Sequence, residues 1–333
     1  MATYKEIFGQ KIKSLSADPP ASVGEGQIWY NDTSDTFKTS TPTAAWASAP
    51  ALSTARAGGG SGGIPTAAWF AGGVTSFPSS TSTATEEYDG SSWTAGGALT
   101  NARVYTGGAG PLTAGIIVAG ATPFAPSPGG GQTAVESYNG EAWTAETATP
   151  IGLWTNTAFG TEAACTTAGA NPDSTNFVFD YDGSSWTTGG TMNAIRAYSA
   201  SAGTQTAGGV MGGYGPYATN YEQYDGSSWT AGPALNTARF YSGAGGPQTA
   251  SINFGGETPA PAAAGETELF DGTSWTEGAD LATARSLLGS TSSITSNTAA
   301  LAFGGSPIGD PSPIHNATEE YTNVAAVKTI TAS

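Results

Sequence analysis

The chain has 333 residues, 38% of them hydrophobic and only 11% charged, and carries a formal net charge of −16 at pH 7. Such acidity excludes a grip on nucleic acid or on anionic membrane, since both need a basic surface, and it leaves clustered carboxylates open to divalent cations. Cys165 is alone, so neither an intrachain disulfide nor a paired-cysteine metal site can form, and no run of about 18 apolar residues is present to span a bilayer as a helix.

The first 45 residues read as a segment of their own. They hold four of the five Lys residues, against an acidic remainder. Tyr4-Lys5-Glu6-Ile7-Phe8 predicts the start of a short helix that ends before Asp18-Pro19-Pro20. The stretch lacks the apolar centre of a secretion signal. Gly26-Gln27-Ile28-Trp29-Tyr30-Asn31 follows, and then Phe37-Lys38.

From Trp46 onward the chain repeats. Trp46, Trp93, Trp143, Trp186, Trp229 and Trp275 lie 47, 50, 43, 43 and 46 residues apart. Ten residues after five of them stands an Arg: Arg56, Arg103, Arg196, Arg239 and Arg285, the only arginines in the chain. After Trp143 the same place holds Leu153. A period of about 45 residues predicts a repeat array rather than two ordinary domains.

The copy between Trp229 and Trp275 reads as four short strands: 238–243, 249–254 closed by Gly255-Gly256, 266–270, and 274–276 entered through Asp271-Gly272. Asp-Gly recurs at Asp89-Gly90, Asp182-Gly183 and Asp225-Gly226, with Asn139-Gly140 as its equivalent, and predicts type I′ hairpin turns. Four strands in about 45 residues is the signature of a β-propeller blade. The last copy reaches Tyr321 without a Trp. The strand around Trp46 is therefore expected to complete the sixth blade and close the ring, which removes exposed sheet edges. A spare strand at 327–331 is expected to pair with Ile28-Trp29-Tyr30 or with Thr36-Phe37-Lys38.

Two residues before the aromatic of each third strand stands a Glu: Glu86, Glu136, Glu222, Glu268 and Glu319. The odd copy has Phe179, and it is the copy whose Arg is Leu153. Loss of both charges together predicts an ion pair within each blade, Arg56 with Glu86, Arg103 with Glu136, Arg196 with Glu222, Arg239 with Glu268 and Arg285 with Glu319. A lone buried charge is costly, whereas replacing both partners by apolar groups is tolerated. The Arg is expected to reach across small residues of the second strand, such as Ala250. The competing reading is a ring of Arg that binds an anion.

If the repeated residues build scaffold, function sits in what differs. The most variable segments join second strands to third strands, at 74–83, 121–132, 170–174, 214–220, 257–265 and 306–316. They carry Phe77, Phe124, Tyr214, Tyr217 and His315 among Pro, Ser and Gly. Aromatics on stiff loops suit glycan stacking or protein contact; the alternative is that these rings pack their own loops. Catalytic, cofactor-binding and metal-ligating patterns are absent. His315 is the single His, no nucleophile-elbow motif accompanies it, and the run 58–63 is Gly-rich without the Lys of a phosphate loop. A carboxylate pair assembled from separate loops, as a glycosidase needs, stays open.

The order Arg, Gly doublet, Tyr-Asp, Trp resembles the kelch repeat over residues 46 to about 322. Gly72-Gly73, Gly212-Gly213, Gly255-Gly256 and Gly304-Gly305 keep the doublet, and Ala119-Gly120 and Gly169-Ala170 are degenerate copies. The fold this implies is all-β: a six-bladed kelch-like β-propeller with four antiparallel strands per blade over 46–322, preceded by an anchoring segment at 1–45 and followed by a strand at 323–333. Galactose oxidase-like enzymes place a copper site with two His on such a propeller, which one His cannot supply. The run from Gly26 to Asn31 with Phe37-Lys38, together with Tyr-Asp-Gly-Ser-Ser-Trp-Thr in the repeats, resembles virion proteins of tailed marine phages. That resemblance implies a non-enzymatic virion protein without cofactor, present in several copies and exposed on the particle surface. It would dock on other virion proteins through 1–45. A tail fibre or tail-associated module touching a host receptor or glycan is expected first, a capsid-decorating protein second and a carbohydrate-active depolymerase third.

Overall fold

The computed structural model describes residues 4–7, 10–19, 27–77, 80–122, 131–170, 175–214, 219–259, 262–307 and 313–330. Among them every regular element is a strand except the three-residue 3₁₀ turn Leu112–Ala114. The protein is all-β, built mainly of four-stranded antiparallel sheets. The chain divides into two compact units, Met1–Ala45 with Thr322–Ser333, and Trp46–Tyr321.

In the first unit the expected helix is replaced by strands. Tyr4–Ile7 and Gln10–Leu15 pair antiparallel, Tyr4 opposite Lys13; Phe8 lies outside the described residues. Ile12 and Ser14 are buried while Lys13 between them is exposed. That is the two-residue alternation of a strand, which the scatter of charges hides from a search for helical period. Gln10–Leu15 runs parallel to Ile28–Asn31, which pairs antiparallel with the strand Thr36–Ala49. Of the two partners expected for the C-terminal strand, the second is found: Ile330 N–H donates to the Phe37 carbonyl at 2.8 Å, and Lys38 Nζ donates to Thr329 Oγ1 at 3.0 Å. Asn31 Nδ2 and Trp29 Nε1 both donate to Asp18 Oδ1, at 2.5 and 3.0 Å, and hold its carboxyl below the ordinary range.

Among the described residues the second unit contains six main sheets, besides two short pairs, Val74–Ser76 with Ser80–Thr81 and Glu257–Thr258 with Ala262–Ala263. The first is Gly60–Ile64, Ala67–Ala71, Thr85–Tyr88 and Trp93–Ala95; the second is Gly107–Ala109, Gly115–Val118, Val135–Tyr138 and Trp143–Glu146. The third is Thr157–Thr161, Ala164–Ala170, Thr175–Tyr181 and Trp186–Thr188; the fourth is Ala200–Thr204, Ala207–Met211, Tyr221–Tyr224 and Trp229–Ala231. The fifth is Gly243–Gly245, Ile252–Phe254, Thr267–Phe270 and Trp275–Glu277. The sixth joins Gly289–Ser290 and Ala299–Phe303 to the 318–321 end of one strand and the 46–49 end of another, so residues from both ends of the unit complete it.

The core lies between neighbouring sheets. Phe70, Tyr88 and Trp93 of the first sheet share a buried cluster with Leu301 and Phe303 of the sixth, and Phe159 and Val178 of the third share one with Val210, Tyr224 and Trp229 of the fourth. First strands lie side by side in order, from Gly60–Ile64 through to Gly289–Ser290, and Gly289–Ser290 lies against Gly60–Ile64 again. At the outer strands three Trp indoles donate to a strand of the preceding sheet, Trp143 to Thr85 Oγ1 at 2.8 Å, Trp46 to Thr267 Oγ1 at 2.9 Å and Trp93 back to Thr318 Oγ1 at 3.0 Å, while Trp186, Trp229 and Trp275 donate to the carbonyls of Thr147, Gly190 and Pro233 in the loops that leave it.

The Asp-Gly turns differ from expectation. Positive φ occurs at Gly90, Gly140, Gly183, Gly226 and Gly272 but not at the Asp or Asn before them, so these are not type I′ turns. Each loop instead closes on its Asp or Asn side chain. Asp89 Oδ1 accepts the N–H groups of Ser91 and Ser92 at 2.8 and 2.7 Å, and Asn139 Oδ1 accepts those of Glu141 and Ala142. A carboxylate that bonds the backbone two and three residues on builds the turn without a second left-handed residue.

Candidate functional site

Arg and Glu meet inside every sheet that has them. Arg56 Nη2 lies 3.1 Å from Glu86 Oε1, Arg239 Nη2 lies 2.8 Å from Glu268 Oε1, and Arg103 pairs with Glu136 and Arg196 with Glu222. Arg285 and Glu319 stand 3.1 Å apart as an ion pair without hydrogen-bond alignment. All ten side chains are buried. Burial pulls Arg56, Arg103, Arg196 and Arg285 below the ordinary arginine value. The Arg does not pass Ala250. Its Nη1 reaches the carbonyls where the second strand ends and the third begins, Gly255 at 3.2 Å and Glu266 at 2.7 Å for Arg239, and in the first sheet the guanidinium sits 4.9 Å over the Phe70 ring.

The second oxygen of each Glu has its own task. It accepts the backbone N–H three residues before the Arg: Ser53, Thr100, Asn193, Asn236 and Ala282, at 2.7 to 2.9 Å. In the odd copy that position is Pro150, which has no N–H to satisfy. Leu153 and Phe179 there share one buried cluster. Three polar partners therefore disappear together, and no buried donor or acceptor is stranded.

Two residues after each Arg, and after Leu153 in the odd copy, the backbone turns left-handed. Gly58, Tyr105, Thr155, Tyr198, Tyr241 and Leu287 have φ between 55° and 69°. Their amides form one closed circuit: Tyr105 N–H donates to Gly58 O, Thr155 to Tyr105, Tyr198 to Thr155, Tyr241 to Tyr198, Leu287 to Tyr241, and Gly58 to Leu287, at 2.7 to 3.1 Å. The Gly doublets make a parallel set of links. Gly73 N–H donates to Arg103 O and Gly305 N–H to Arg56 O, both at 2.8 Å. A Cβ on Gly304 would stand 2.5 Å from the Arg56 carbonyl, so this approach requires glycine.

Inside the belt lies a cavity of about 100 Å³ lined by the belt residues with Thr106, Asn156, Ser199 and Ser242. A second cavity of about 110 Å³ shares Thr106, Asn156, Ser199 and Ser242 with it, and its lining too is free of charged side chains. Tyr105 and Tyr241 are stacked at 6.0 Å, Tyr198 lies 4.5 Å from Tyr241, and rings continue outward through Phe240 to Tyr214. Burial, and then the neighbouring Tyr198 and Tyr105, raise the Tyr241 hydroxyl well above its ordinary value.

The loop residues singled out from sequence fare differently. Tyr214 is 57% exposed and meets Tyr198 and Phe240 edge-on. Phe77 is partly buried and packs against a cluster of Ala57, Val74, Val104, Ala121 and Leu287, so it packs on residues well beyond its own loop. Phe124 and Tyr217 lie outside the described residues. His315 works through its backbone: its N–H donates to Gly305 O at 2.8 Å and its carbonyl accepts from Arg56 N at 3.2 Å. Burial, and then Arg285, hold its ring below the ordinary histidine value. Among the described residues no three His, Cys, Asp or Glu side chains converge as a metal site would need.

The chain matches no protein-family model and no curated protein sequence.

The belt residues were invisible to sequence reasoning. Their contribution to the circuit comes from backbone atoms, so Gly, Tyr, Thr and Leu all serve. The one available signal is positional, two residues after each Arg or Leu153, and it becomes readable only when the copies are aligned on that residue.

Proposed function

We propose that residues 46–321 form a closed six-bladed, kelch-like β-propeller and that the chain is a structural component of a tailed-phage particle. In this reading it docks on other virion proteins through residues 1–45 and presents the loop end of the propeller to a host surface. Closure is supported by the Gly58-to-Leu287 hydrogen bond, which returns the inner belt to its start, and by the Trp93-to-Thr318 bond at the outer strands. Apolar surface for docking is supplied in the first unit by Ile28 and Ile330, 50% and 43% exposed. Placement on a particle rests on the resemblance carried by residues 26–31, 37–38 and the repeated Tyr-Asp-Gly-Ser-Ser-Trp.

One observation carries display over catalysis. The repeated charges are consumed in buried ion pairs, and the cavity at the belt is lined by hydroxyl, amide and aromatic groups without a carboxylate, imidazole or thiol. A depolymerase would need two carboxylates converging on a glycosidic bond. The test is immunogold labelling of purified particles with antibody against this chain, joined to mass spectrometry of the same particles. Gold on the tail is expected. Gold on the head would make the chain a capsid decoration, and its absence from purified particles would remove the virion role.

A further inference from the structure

We propose that the cavity inside the belt binds a single uncharged sugar ring, the terminal residue of a neutral glycan, stacked on the tyrosines and hydrogen-bonded by Asn156 and Thr106. This rests on the reading of the loop end as a recognition face.

The aromatic half of the argument is geometric. Tyr105, Tyr198 and Tyr241 sit in the bends that lead into the first strands of three different sheets, and they gather at the cavity. Tyr105 and Tyr241 stack at 6.0 Å and 27°. Two rings holding an ammonium between their faces would stand at least about 7 Å apart, two van der Waals contacts of about 3.5 Å each. At 6.0 Å these rings leave no room for one, so they form a platform and not a cation cage. A platform of Tyr faces matches the C–H face of a pyranose, apolar on one side and rimmed with hydroxyls.

The polar half rests on unmet hydrogen bonds. Asn156 is buried, and its Nδ2 is committed to Thr167 Oγ1 at 2.9 Å, while Oδ1 has no protein partner. Thr106 Oγ1 and Thr155 Oγ1 are likewise buried without one. Buried acceptors and hydroxyls are almost always paired, so these three lining groups call for a partner from outside the chain. A sugar hydroxyl, which both donates and accepts, satisfies each of them.

Charge and size narrow the ligand class. The lining has no cation to meet a carboxylate or sulfate, and Glu257 lies close enough to act electrostatically on Tyr241. The whole chain carries −16. Uronic and sialic acids are therefore repelled. A cavity of about 100 Å³ is smaller than the about 300–1,000 Å³ of drug-sized sites, so it takes the end of a chain and not its length.

The experiment titrates the purified full chain with the methyl glycosides of galactose, glucose, mannose and N-acetylglucosamine, read by saturation-transfer NMR. Glucuronate and N-acetylneuraminate are the anionic counterparts. At least one neutral glycoside is expected to bind, and both acids to give no transfer. Tyr105→Gly is expected to weaken binding tenfold or more while keeping the fold, because Gly58 occupies the same belt position in the first sheet. Asn156→Leu is expected to abolish it, with a thermal melt of each variant recorded alongside. No neutral glycoside binding, equal binding of the acids, or binding untouched in Tyr105→Gly would overturn the proposal. Labelled particles with no glycoside binding remove the sugar site and leave the display role standing. Glycoside binding by a chain absent from particles removes only the virion role.

Discussion

Leu153 packs with Phe179 in one buried cluster at the two positions where the other five sheets hold an Arg–Glu ion pair. With Pro150 three residues before Leu153, the third sheet shows which set of changes the scaffold accepts. Arg239→Leu alone leaves Glu268 buried and unpaired and is expected to cost about 3–5 kcal/mol. The triple variant Arg239→Leu, Glu268→Phe, Asn236→Pro copies the third sheet and is expected to fall within about 1 kcal/mol of the parent. Urea unfolding of the single and triple variants decides it; a triple no more stable than the single would mean that the apolar set needs more than its own three residues.

Thr155 holds a left-handed backbone at φ 60° with a branched side chain and a buried hydroxyl that lacks a partner. Left-handed φ costs a non-glycine residue about 1–2 kcal/mol. Thr155→Gly is expected to melt higher than the parent, by about 1 kcal/mol after the entropy of a freer unfolded chain is subtracted. Thr155→Ala keeps the strain and is expected to be about 1 kcal/mol less stable than the Gly variant. Calorimetry that ranks Ala above Gly would contradict a strained belt.

The acidic turns set a limit at low pH. Asp89, Asp182 and Asp271 are held at about 2 by hydrogen bonds from the Ser or Thr side chains and backbone that follow them, and Asp225 is lowered by the same kind of contacts. A depressed folded value means stability that is whole above the ordinary value of 3.8 and is lost as pH falls from there through about 2. Asn139 makes the same turn without a titrating group. Replacing the four Asp residues by Asn is therefore expected to flatten the fall in melting temperature between pH 4 and pH 2, measured against the parent across that window.

At high pH the sign reverses. Tyr138, Tyr181, Tyr221 and Tyr321 are pushed up to about 12, first by burial and for Tyr138 and Tyr181 then by hydrogen bonds to Glu87 and Glu146. A raised folded value gives stability that is complete below the ordinary 10 and is lost as pH climbs from 10 through about 12. Tyrosinate absorbance is expected to lag behind that of free tyrosine and then to rise together with unfolding seen by circular dichroism. Ionisation of these four at the ordinary value in the folded protein would show that their burial is not maintained.

What could be read from sequence followed from which atoms do the work. Arg, Glu, Trp and the Gly doublets recur because a side chain, or the absence of one, is itself the contact, so comparison of the copies exposes the ion pairs and the four-stranded unit. The belt hides because it is made of amides. Tyr105, Tyr198 and Tyr241 share no pattern with Gly58 or Leu287, yet they bring the candidate site together. The first strands of the first unit read as helix in sequence because Tyr4-Lys5-Glu6-Ile7 is too short, and lacks the alternation, for period to favour strand. His315 looked like a loop side chain available for binding, and its main contribution is a carbonyl.

The sixth sheet joins residues 46–49 to residues 318–321. A ribosome makes the first of these strands before any of the other five sheets and its partner after all of them. During synthesis that edge waits uncovered while more than two hundred residues emerge, and the sixth sheet cannot be completed until the last strand has left the exit tunnel. A chain that stops between Glu277 and Thr318 carries the five complete sheets but leaves residues 46–49 without their partner, which makes completion of translation itself the check on the sixth sheet.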